Sequence, residues 1–155
     1  MLSLPSFSSL LRAGTKGPGW VIVVFLATFQ PIGKRFGIPG VQQAAIHLSE
    51  LVTNLAPEGA LVGSVSDLTT GVFVPQVASA SIDSYVTSIR MAAAADDLEL
   101  EAGEWAEIRV AVGVMPISSG EFDAREVTIE AARKAETDLA KFPQEWAYPI
   151  VVFDD

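Results

Sequence analysis

Apolar positions along this chain fall into runs of two kinds. Residues 20–27 are apolar at every position, Trp-Val-Ile-Val-Val-Phe-Leu-Ala, which suits a strand buried on both faces. Residues 61–65 and 72–74 are largely apolar and β-branched, and they flank the tip Ser66-Asp67-Leu68-Thr69-Thr70, a hairpin pattern. Residues 107–115 alternate, with Ile108, Val110, Val112 and Val114 on one side, and residues 147–153 read as a last strand. Elsewhere the period lengthens. Val41, Ala45, Leu48, Val52 and Leu55 step by four and three, predicting an amphipathic helix over 41–55 behind a loop of Gly33, Gly37, Pro39 and Gly40. Pro57-Glu58-Gly59 stops that helix. Ile82, Val86, Ile89 and Ala93 predict another to about residue 95, with Ser79 or Ser81 as its cap. Asp123 and Glu126 form a capping box for a helix to about residue 141, ended by Pro143. Its row Val127, Ala131, Ala135 and Leu139 includes small residues, so it can approach a sheet closely. A short helix within 2–13, starting after Pro5, comes first.

The predicted order is helix, strand, helix, strand, strand, helix, strand, helix, strand. That is an α+β (α/β sandwich) fold, with a ferredoxin-like β-α-β-β-α-β core whose helices lie largely on one face. An additional C-terminal helix and strand extend the core. The 155 residues are 50% apolar and 19% charged, which fits one domain over 1–155. A domain of that size buries about 70% of its unfolded-chain surface.

Composition then removes several chemistries. Ten basic against nineteen acidic residues give a net charge of −9, which repels phosphate backbones and excludes nucleic acid as the expected partner. With no cysteine there are no disulfides or thiolate metal sites. His47, the one histidine, reads as a helix-flank residue and leaves no catalytic triad. The run 20–29 is shorter than the ~20 apolar residues a membrane span needs and has no signal-peptidase pattern after it, so the expectation is cytoplasmic. No P-loop or Gly-x-Gly-x-x-Gly occurs, and Gly63-Ser64-Val65-Ser66 is not a nucleophile elbow. Lys34 and Arg35 read as a solvated loop, with an anion contact as the alternative. Asp96, Asp97, Glu99, Glu101, Glu104 and Glu107 read as a solvated connection, with docking of a basic partner as the alternative.

Several segments together resemble the GGDEF domain of diguanylate cyclases, which condense two GTP into cyclic di-GMP. Leu4 and Pro5 match the family's opening Leu-Thr-Gly-Leu-x-Asn-Arg segment. Phe29 and Gly37 match its Asp-x-Asp-x-Phe-Lys-x-x-Asn-Asp-x-x-Gly motif, and Ile32 and Phe36 keep the apolar character of the family at two of its unspecified positions. Gly113, in the strand from Ile108, matches Val-Thr-Val-Ser-x-Gly-x-Ala, and Ile-Val-Val-Phe-Asp154 resembles the family's ending. The resemblance covers nearly the whole chain and implies a nucleotidyl-cyclase-like fold.

The family's chemistry is absent position by position. Its metal-binding aspartate falls on Phe25 and its phosphate-loop lysine on Gln30. The residues that read guanine fall on Gly33 and Gln42. The Gly-Gly-Asp-Glu-Phe signature falls on Ser66, Asp67, Leu68, Thr69 and Thr70, so its acids become Leu68 and Thr69. The inhibitory Arg-x-x-Asp site falls on Pro57 and Ala60, and Lys141 lies two positions from the family's helix-end lysine. Mg²⁺ takes hard carboxylate ligands, which Phe25 cannot supply. The expectation is therefore a catalytically inactive, GGDEF-like signalling module with no catalytic residue, metal or cofactor. Asp67, Leu68 and Thr69 at the tip would meet a protein partner or a second copy of the chain, with Phe25 buried and Leu68 exposed. One alternative is a GTP sensor without turnover, disfavoured by Gly33 and Gln42. The other is an enzyme of a different ferredoxin-like family with an unrecognised site.

Overall fold

The unbroken apolar run becomes the central strand of the sheet. The computed structural model describes residues 4–14, 18–75, 79–95, 97–118, 122–150 and 152. In chain order it contains α1 (Phe7–Gly14), β1 (Gly19–Leu26), α2 (Phe29–Leu55), β2 (Leu61–Ser66) and β3 (Thr69–Pro75). These are followed by α3 (Ser79–Ala95), β4 (Leu98–Glu101), β5 (Glu104–Ala106), β6 (Val110–Ile117), α4 (Ala124–Leu139) and a 3₁₀ turn, Gln144–Trp146. The main sheet has the order β2-β3-β1-β6 with every pairing antiparallel. This is the ferredoxin-like arrangement. Ile22, Val24 and Leu26 of β1 face α2 and α3, while Val21, Val23 and Phe25 face α1 and α4. Both sets are buried, which is why β1 has no polar position. Helices therefore cover both faces of the sheet, not largely one.

The long helix α2 departs most from the sequence reading. Residues 33–40, taken as a loop, are helical apart from a kink at Gly37, whose φ of 72° and ψ of −171° only glycine readily adopts. Pro39 is harmless because it sits in the first turn after the kink, where no intrahelical N–H is required. The buried face is Gly40, Ala44, Leu48 and Val52. The predicted stripe was thus rotated: Ala45 is half-buried and Leu55 is exposed. Gly37→Ala is expected to cost about 1–3 kcal/mol through backbone strain and to lower the Tm by several degrees in calorimetry.

Helix α3 buries Ile82, Ile89 and Ala93 as expected, leaves Val86 half-buried and adds Tyr85. The Tyr85 hydroxyl donates to the Val52 carbonyl at 3.0 Å, tying α3 to α2. The Ser79 cap lies outside the described side chains. Asp123 accepts from the Glu126 N–H at 3.0 Å, as its capping pattern predicted. The acidic connection proves to be a two-stranded ribbon, β4 with β5. Leu98, Leu100 and Ala106 turn inward onto the core, and the turn donates the Gly103 N–H to Glu99.

Over the described residues the expected last strand is not formed: residues 147–150 pair with no strand, and Val151 and Phe153 lie outside the described residues. Two causes are visible. Ile150 gives its N–H to Glu136 Oε1 at 2.8 Å, so this segment packs on α4. The free edge of β6 is already capped, with the Val112 N–H donated to Asp138 Oδ2 at 2.8 Å and the Val110 carbonyl reached by Arg90 at 3.4 Å.

Candidate functional site

The hairpin turn contains just Asp67 and Leu68, because Ser66 and Thr69 already pair across it. Consequently Thr69 and Thr70 belong to β3, opposite Phe25 and Val24 of β1, and both are buried. Asp67 is exposed. Leu68 is half-buried against both apolar layers, with its carbonyl accepting the Leu26 N–H at 3.1 Å. Of the three residues expected to meet a partner, Asp67 and part of Leu68 are available, while Thr69 is enclosed and accepts from the Ser66 hydroxyl at 2.8 Å.

Between this hairpin and α2 lies an open groove of about 1010 Å³. One wall is the outer side of α2, including Gln42, Ser49, Glu50 and Thr53. The opposite wall is Ser64, Ser66 and the tip, and Val41, Ala45 and Ile46 make much of the apolar surface between them. Ser49 Oγ and Thr70 Oγ1 stand 3.3 Å apart and link the two walls by a hydrogen bond. Pattern reading missed Ser49, Glu50 and Thr53, since polar residues on a helix's outer side give no signal until a second element rises beside them.

The signature positions split into two groups. Gln42, Ser66, Asp67, Leu68, Thr69 and Thr70 line the groove, whereas Phe25, Gln30 and Gly33 do not. Phe25 is buried among the α1 and α4 contacts, on the sheet face away from the body of α2, and meets that helix's first residue, Phe29, in an edge-on ring contact at 5.7 Å. Phe29 in turn meets Tyr148 at 4.7 Å. Gln30 donates to the Ala147 carbonyl at 3.3 Å and so anchors the C-terminal segment. Gly33 sits in the first half of α2, against Val41. Lys34 and Arg35 are helical too; Arg35 pairs with Glu104 and stacks over Phe36, and neither residue lines the groove. His47 is half-buried on α2, as its context suggested.

These residues do not fit a Mg²⁺ site of the cyclase kind. Such a site needs one or two carboxylates beside phosphate oxygens. Here the strand end offers a buried phenyl ring and the tip a single exposed acid. Among the described residues no group of three or more His, Asp or Glu could hold a metal ion. No helix among them is long and apolar enough to cross a membrane.

The sequence matches no family model and no curated protein. Solved structures do match. The GGDEF domain of YfiN (TpbB) from Pseudomonas aeruginosa is 14% identical with a TM-score of 0.76, covering 90% of this chain and 92% of that one. The GGDEF domain of DgcB from Caulobacter crescentus, in complex with c-di-GMP, is 14% identical with a TM-score of 0.68, covering 94% and 81%. The diguanylate cyclase SiaD, in complex with its activator SiaC from Pseudomonas aeruginosa, is 12% identical with a TM-score of 0.66, covering 87% and 49%. At such identities the likeness is one of architecture, and in architecture this chain is a GGDEF-like domain.

Proposed function

We propose that this domain is catalytically silent and works as a regulatory module through contact with another protein. The observation that supports this most is the separation of Phe25 from the groove. The position at which the resemblance would put a metal ligand is a core aromatic on the other face of the sheet. Phosphoryl transfer from GTP depends on a metal ion to neutralise developing charge. Asp67 alone does not supply that. Among the described residues the groove also has no lysine or arginine to hold phosphates. A protein of the same fold, SiaD, is seen with an activator protein, which lends the contact reading a precedent.

Purified protein incubated with GTP and Mg²⁺ or Mn²⁺ is expected to yield no cyclic di-GMP. Product above a heat-inactivated control would refute the reading. Calorimetry separates turnover from binding: micromolar affinity for GTP or cyclic di-GMP would make the domain a nucleotide sensor instead.

A further inference from the structure

The groove between α2 and the hairpin has a charge pattern opposite to what a nucleotide requires. Among the described residues its two ionisable side chains are Glu50, on the helix wall, and Asp67, at the hairpin tip. Neither is ion-paired among the described residues. Among the described residues no basic side chain lines the groove, so each phosphate brought in would meet unneutralised carboxylates. The surface between these acids is largely apolar, and it continues to Ile38, which is 74% exposed at the kink of α2. An exposed aliphatic side chain continuous with an apolar trough marks a contact surface.

We propose that this groove takes a segment of a partner protein carrying lysine or arginine among apolar residues. The inference rests on the contact reading above and gives its partner a chemistry. Cationic groups would reach Glu50 and Asp67, while the apolar residues between them would cover Val41, Ile46 and Leu68. A second copy of this chain is a poor occupant, because two molecules of net charge −9 repel on approach. A small organic cation is a poor occupant too. The groove's ~1010 Å³ lies at the upper limit of small-molecule sites, which run from about 300 to 1,000 Å³, and it is not an enclosed cavity.

The test uses a short fluorescein-labelled peptide of leucines and lysines, followed by fluorescence anisotropy, with two companion peptides. In one companion glutamate replaces lysine, and in the other serine replaces leucine. Saturable binding is expected for the leucine–lysine peptide alone. The double variant Glu50→Gln with Asp67→Asn should weaken it about tenfold or more. A control, Glu58→Gln with Glu101→Gln, removes the same charge from exposed sites outside the groove and should change it less than about twofold. All four residues are exposed, so both variants should keep the parent Tm. Equal weakening by the two variants would mean general surface charge and overturn the groove assignment. So would the absence of saturable binding. GTP with Mg²⁺ is titrated in parallel. If the peptide fails and GTP does not bind either, the assignment alone is lost; if GTP binds instead, the contact reading falls with it.

Discussion

Gly113→Ala is expected to destabilise the protein by more than about 3 kcal/mol, the far end of what one added methyl does. In an ordinary strand this substitution would help, because alanine loses less backbone entropy than glycine. Here the sign is set by α4. A Cβ at position 113 would overlap the Ala131 carbonyl oxygen and the Ala135 nitrogen, both backbone atoms that cannot rotate away. The helix would have to lift from the sheet, opening the layer where Ala131, Ala132, Ala135 and Leu139 meet Val21, Val23 and Ala111. Gly103→Ala makes a useful control. Gly103 has a φ of +75° but open space around its Cβ position, so strain alone should cost about 1 kcal/mol. Urea unfolding of the three proteins gives the answer. A Gly113→Ala variant as stable as the Gly103 variant would mean that α4 does not sit so close.

That contact was half legible in the sequence. The small residues at 131 and 135 predicted close packing, and Gly113 stood out through the family resemblance, but only the structure shows one facing the other. Gly37 is similar. It matched a motif, and its positive φ supplies the local reason for a glycine there. Glycine and proline between 33 and 40 read as a loop because a kinked helix and a broken one have the same composition. The β4–β5 ribbon was missed although Leu98-Glu-Leu-Glu101 alternates strictly, since four and three residues are too few against so many acids.

The site was harder to read than the fold. Asp67, Leu68 and Gln42 were legible from the resemblance and do line the groove. That Phe25 faces the opposite layer depends on strand alternation relative to α2, which no motif records. Glu50 is invisible for a related reason. On an isolated helix it is an ordinary solvated acid, and it becomes half of a charge pattern only when the hairpin brings up Asp67. Such pairings across elements belong to tertiary structure, and neither local period nor composition carries them.

Asp138→Ala is expected to cost about 2–3 kcal/mol and to lower the Tm by about 5–10 °C. Asp138 is a buried carboxylate at the free edge of β6, accepting the Val112 N–H at 2.8 Å and pairing with Arg90 at 2.9 Å and Lys141 at 3.3 Å. Burial by itself raises its pKa. The Val112 hydrogen bond, followed by Arg90 and Lys141, more than offsets that and holds the carboxyl below the usual aspartate range. The sign follows. A folded-state pKa below the unfolded one stabilises the protein at pH values above the unfolded pKa, near 4, and the gain is lost as pH falls through the folded value. The difference in unfolding free energy between parent and Asp138→Asn should be constant from about pH 5 to 8 and shrink below about pH 4. A difference that grows in acid would mean the carboxylate is not held ionised. The same pair also protects an edge. Val110-Ala-Val-Gly-Val is β-branched and uncharged, the kind of strand that adds to another sheet when exposed, and Arg90 and Asp138 occupy its outward carbonyl and N–H. Asp138→Ala should therefore also aggregate faster than a variant of equal Tm such as Gly37→Ala with a second mild substitution, as light scattering at matched temperature would show. Equal aggregation rates would confine Asp138 to holding α4 on the sheet.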